Sequence, residues 1–137
     1  MSIYFDIANL NKLLAHLSVV NVTDSIPDEA GAFLQHTYPN SVCVTGTQLT
    51  QEMMDAIMTR SIEEFRHKYC EVPFLIIRFE KEDACKSALQ QEIVLFLNVR
   101  QYKNLPTLLL SKERLTQYPL TNESLIGYAH IYDIIRK

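Results

Sequence analysis

The sequence predicts an α/β domain: one layered unit over residues 1–137, with a mostly parallel sheet of about four strands flanked by helices. Three observations carry that prediction. Helical and strand periodicities alternate along the whole chain, the pattern of a layered α/β architecture with crossover connections. Phe74-Leu75-Ile76-Ile77 is apolar on both alternating faces, as in a strand covered on both sides. A length of 137 residues that are 47% hydrophobic and 21% charged is ordinary for one globular domain.

Each element follows from local pattern. Ile7, Leu10, Leu13, Leu14 and Leu17 recur at three- and four-residue steps within 5–17, giving an amphipathic helix. Val19, Val20 and Val22 form a β-prone run that Thr23-Asp24-Ser25 closes. Pro27 with Asp28 and Glu29 starts a second helix over Ala30, Phe33 and Leu34, stopped by Tyr38-Pro39-Asn40. Val42-Cys43-Val44-Thr45 is a compact strand, Gly46 turns the chain, and Thr47 caps a helix running from about Gln48 to about Tyr69, limited by Pro73.

The strand at 74–79 comes next. Glu80-Lys81-Glu82-Asp83 then opens a helix through about Asn98, which absorbs the apolar run Ile93–Leu97. Leu105–Leu110 is the last strand, with Pro106 near its start, where a missing N–H does least harm. Thr121 caps a final helix through Arg136, with Leu125, Tyr128, Ala129, Tyr132 and Ile135 inward.

Composition excludes several function classes. Three glycines, Gly31, Gly46 and Gly127, cannot spell G-x-G-x-x-G, G-x-x-x-x-G-K-[ST] or G-x-S-x-G, so the commonest dinucleotide, nucleotide and hydrolase loops are absent. No cofactor is expected. Cys43, Cys70 and Cys85 are odd in number and sit in apolar or helical contexts, as free thiols of a reducing cytoplasm do. The amino terminus lacks the basic and apolar regions of a signal peptide, and the longest apolar run, Ile93–Leu97, is far too short to span a bilayer. A cytoplasmic protein with no membrane partner is expected.

A net charge of −3 argues against a nucleic-acid partner. The charge is uneven: residues 1–59 hold Lys12 against six acids, while residues 60–137 hold twelve basic and ten acidic side chains. The first half is therefore a surface suited to a basic protein partner. Tyr38, Tyr102 and Tyr118 stand in predicted loops, where tyrosines favour interfaces.

Ligands of open α/β sheets sit beyond the carboxyl ends of the strands. Three joints qualify: Thr45-Gly46-Thr47, Glu80–Asp83 and Ser111–Arg114. The first, with one glycine and two hydroxyls, suits a phosphate or carboxylate, and the second could offer carboxylates to Mg²⁺. His67 and Cys70 share a helix face, but no spacing supplies the further ligands of a zinc site, so no metal is assigned. Cys43 lies inside a strand rather than at an activating turn, and no catalytic residue is assigned.

The expected function is a non-enzymatic cytosolic protein-binding module of inhibitor, immunity or regulatory type. Asp24, Asp28 and Glu29 would steer a basic partner and Tyr38 would anchor it. The alternative is a small enzyme or a nucleotide- or phosphate-ligand domain using Thr45, Gly46 and Thr47. A homodimer through the Leu105–Leu110 edge or the last helix is a further possibility.

Overall fold

A computed structural model describes residues 3–4, 7–16, 19–24, 27–122, 124–128, 130–133 and 135–136. The elements run β1 (Ile3–Tyr4), α1 (Ile7–His16), β2 (Val19–Thr23), α2 (Pro27–Thr37), β3 (Ser41–Thr45), α3 (Gly46–Met58), α4 (Ile62–Glu71), β4 (Phe74–Arg78), α5 (Ser87–Tyr102), β5 (Thr107–Ser111), α6 (Ser124–Tyr128), β6 (His130–Asp133) and β7 (Ile135–Arg136). Short 3-10 turns cover Lys81–Cys85 and Leu115–Gln117. The predicted residues Phe5, Leu17, Ser25 and Ala129 lie outside the described ones.

Five strands form a parallel sheet in the order β3-β4-β5-β2-β6, and β1 pairs antiparallel with β7. The α/β class read from the sequence is the class observed. Strand alternation divides the core in two. Leu75, Ile77 and Leu109 face a layer built by Leu49 and Met53 of α3, Phe65 and Tyr69 of α4, and Ile93, Phe96 and Leu97 of α5. Val20, Val22, Phe74, Ile76, Leu108 and Leu110 face Leu10 of α1 and Ala30 and Leu34 of α2. Burial on both faces is why β4 and β5 read as continuous apolar runs. The run Ile93–Leu97 is helical, as expected.

Two expectations are corrected. The predicted helix from Gln48 to Tyr69 is two helices, broken at Thr59-Arg60-Ser61. Arg60 takes a left-handed φ of 58° there, and Ser61 N–H donates to Ala56 O at 2.8 Å. No glycine or proline flags this break; hydroxyls do, with Thr59 Oγ1 donating to Asp55 O at 2.9 Å. The predicted last helix ends after five residues, and His130–Asp133 joins the sheet beside β2, in register from Val20↔His130 to Thr23↔Asp133. An open backbone edge on β2 outweighs helical spacing in a segment of β-prone residues. β5 lies between β4 and β2, so the Leu105–Leu110 edge expected for a homodimer is not an edge.

The amino end of the sheet is held by Arg100, fully buried in α5. Its Nε donates to Thr107 Oγ1 at 2.7 Å, Nη1 to Tyr69 O at 3.0 Å and Val72 O at 2.6 Å, and Nη2 to Pro106 O at 2.7 Å. At the opposite end Asn21 of β2, also fully buried, donates from Nδ2 to Leu109 O at 2.8 Å and accepts Leu115 N–H at 3.0 Å.

Arg100→Met strands one buried and two partly buried carbonyls and should cost about 3 kcal/mol of unfolding free energy, read from urea denaturation. Arg60→Gly should act in the opposite sense, stabilising by about 1 kcal/mol because glycine takes a left-handed φ without a Cβ clash.

Candidate functional site: a crevice at the carboxyl ends of β4 and β5

The carboxyl ends of parallel strands are where a doubly wound sheet leaves room for a ligand. Here β4 ends in Arg78 and β5 ends in Ser111, and in register Arg78 lies opposite Leu110. The chain beyond each strand, together with the first turn of α2, encloses a crevice of about 670 Å³. Arg78, Lys81 and Lys112 bring cations to it, and Asp28, Glu80, Glu82 and Glu113 bring carboxylates. Phe79 and Tyr118 supply its apolar wall, their ring centroids 6.1 Å apart. Burial pushes the Tyr118 hydroxyl's pKa up, so it stays protonated, and Glu113 N–H donates to it at 3.3 Å.

Local structure fixes these positions. Asp83, 1% exposed, closes the turn after β4: its Oδ2 accepts Glu80 N–H at 2.9 Å and its Oδ1 lies 3.0 Å from Lys86 Nζ. Gln90 holds the same turn, donating to Asp83 O at 2.8 Å and Ala84 O at 2.7 Å. Ser111 Oγ donates to Glu113 O at 2.6 Å, which shapes the turn that presents Lys112.

The structure separates the predicted site residues. Of the three strand-end joints, Glu80–Asp83 and Ser111–Arg114 meet at the crevice, whereas Thr45, Gly46 and Thr47 do not line it. Thr45, not Thr47, caps α3: its Oγ1 accepts Gln48 N–H at 3.1 Å and its own N–H donates to Gln48 Oε1 at 2.9 Å. Gly46 is buried against the Asp83 carboxylate, and a Cβ there would fall 2.1 Å from Oδ2. An internal carboxylate thus crowds the start of α3, and that close approach is what requires glycine.

Asp24 is buried, its N–H donating to Ser111 O at 3.0 Å. Asp28 is exposed at the crevice and pairs with Arg78, and Glu29 is half-buried. Tyr38 stacks on Phe74 with ring centroids 4.5 Å apart and donates to Asn11 Oδ1 at 2.6 Å. These four residues do not form one surface cluster. Burial raises the Cys43 thiol's pKa, which keeps it un-ionised. Among the described residues no helix is long and apolar enough to cross a membrane.

A doubly wound parallel domain with a charged crevice at its strand ends is the class that fold and site define. No protein-family model and no curated protein matches the chain. Solved structures do. The replication initiator DnaA bound to AMPPCP and single-stranded DNA matches with a TM-score of 0.74 at 15% identity, over 93% of this chain and 44% of that one. Domain III of the Thermotoga maritima replication initiation protein DnaA matches with a TM-score of 0.74 at 13% identity, over 93% and 60%. DnaI matches with a TM-score of 0.69 at 17% identity, over 98% and 88%. The chain thus spans under half the length of the first of these initiator structures.

These matches correct two expectations. The reading as a partner-masking inhibitor or immunity-type protein gives way, because the fold recurs in replication initiators, one of them bound to a nucleotide analogue. The exclusion of nucleic acid falls too, since a DNA-bound initiator shares the fold. Net charge averages over a whole chain, whereas phosphate recognition depends on a few local cations.

Gly46→Ala should destabilise by about 2 kcal/mol, an overpacking cost. The cost should shrink in an Asp83→Ala background, a coupling that a double-mutant cycle by thermal denaturation measures.

Proposed function

We propose that this chain is a cytoplasmic replication-factor domain of the initiator and helper type, and that its strand-end crevice binds the phosphates of a nucleotide. The observation that carries the reading is the convergence of Arg78, Lys81 and Lys112 where β4 and β5 end. The fold it shares with DnaA bound to AMPPCP supports a nucleotide as the ligand. No strand-to-helix joint in the sequence spells G-x-x-x-x-G-K-[ST], so the grip differs from that of a phosphate loop. Side-chain cations take the part that backbone amides play in such a loop. Residues 24–26, which link β2 to α2, include no lysine or glycine, and α2 opens with Asp28 and Glu29, a composition that does not suit a phosphate-wrapping loop.

Side-chain recognition predicts strong dependence on ionic strength, because Lys81 and Lys112 are exposed. AMPPCP at 100 times its dissociation constant should add about 2.7 kcal/mol to stability in a thermal-shift assay. Lys112→Glu, at an exposed position, should weaken binding about tenfold or more, the effect of losing one charged hydrogen bond. A chain whose melting temperature is unmoved by AMPPCP, ATP and ADP at low salt lacks this function. A labelled single-stranded oligonucleotide in the same series separates nucleotide binding from binding to a DNA backbone.

A further inference from the structure

Arg78 is the cation set deepest in the crevice, and an acidic side chain already engages it. Its side chain is 22% exposed and its Cδ packs near Gly31 of α2. Its Nη2 pairs with the Asp28 carboxylate and lies 3.9 Å from Glu80 Oε1. Its Nε–H is buried without an acceptor among the described residues. The two partners are unequal, since the Asp28 side chain is 81% exposed. A solvated carboxylate binds such a guanidinium weakly. A phosphate group could take Nη2 from Asp28, and a turn of the guanidinium would bring the buried, unused Nε to the same phosphate, the bidentate geometry in which arginine binds oxyanions most strongly.

From these contacts we infer that Asp28 is a built-in competitor for the ligand's phosphate, holding Arg78 in the empty crevice and leaving it when a phosphate arrives. Asp28 stands in the first turn of α2. The ion pair stands in for the ligand's charge and spares Arg78 from relying on Glu80, 3.9 Å away, as its counter-ion. This inference rests on the reading of the crevice as a nucleotide-phosphate site.

The test is isothermal titration of the full chain with ATP and, separately, with pyrophosphate, at low salt. Asp28→Asn removes the competing charge at an exposed position and should tighten binding of both about tenfold. Arg78→Lys keeps the charge but not the fork, and should weaken binding in both the native and the Asp28→Asn backgrounds. Thermal melts establish that each variant is folded; if Arg78→Lys does not fold, the comparison of native and Asp28→Asn decides alone. Equal or weaker binding by Asp28→Asn overturns the competitor role while leaving the crevice as a phosphate site. No heat from either protein with either ligand overturns the crevice reading and the competitor with it.

Discussion

The structure depends on a guanidinium that, among the described residues, is held by carbonyl and hydroxyl oxygens and by no carboxylate. Arg100 is buried at the amino end of the sheet and is surrounded by carbonyl and hydroxyl oxygens from α4, from the segment before β5, and from β5 itself. Burial lowers its pKa to about 10, so it remains charged at neutral pH and is solvated by dipoles rather than by water. The α4 carbonyls belong to the negative end of that helix, which suits a cation. One side chain therefore fixes where α4 stops, where α5 lies and where β5 begins. Leu75 N–H then donates to Pro106 O at 3.3 Å, and β4 and β5 run in register from there. Three residues beyond Leu75, the same register brings Arg78 level with Leu110 and places Lys112 just beyond it. The crevice at one end of the sheet inherits its geometry from the clamp at the other.

Much of this architecture was legible from the sequence because burial on both faces leaves a one-dimensional trace. Phe74–Ile77 and Leu108–Leu110 are unbroken apolar runs, and α1 and α2 carry clear stripes. What escaped was decided by contacts distant in sequence. The break at Thr59-Arg60-Ser61 uses an arginine in a glycine-like conformation, and only the two hydroxyl residues beside it hint at a stop. The fifth strand, His130–Asp133, has apolar spacing that fits a helix, and only the free edge of β2 makes it a strand. Arg100 sits in a sequence context that reads as an exposed helix end.

The crevice was half legible for the same reason. Position relative to strand ends is a property of the chain order, so the joints after β4 and β5 could be singled out in advance. Which joint was free to receive a ligand could not. Thr45-Gly46-Thr47 looked the most receptive because a glycine beside hydroxyls is a common anion-binding composition. In the fold that glycine instead accommodates Asp83, a residue 37 positions further along. Likewise Asp28 looked like a helix-start charge. Its engagement with Arg78, 50 positions away, depends on α2 crossing the end of β4. A motif search detects local composition, and neither pairing is local.

The scarcity of glycine changes the physics of recognition in this fold. A phosphate loop binds through backbone amides, which neither titrate nor find internal partners easily, so its affinity is built into the chain path. Side-chain cations give no such guarantee. Each one that faces a crevice is also within reach of nearby carboxylates, and here three cations share the space with Asp28, Glu80, Glu82 and Glu113. A site built this way must be kept from collapsing onto itself, yet not so firmly that a ligand cannot enter. On the proposed reading, an exposed aspartate opposite a largely buried arginine meets both demands: it pairs with the cation until a phosphate arrives, and its own strong hydration makes it easy to displace.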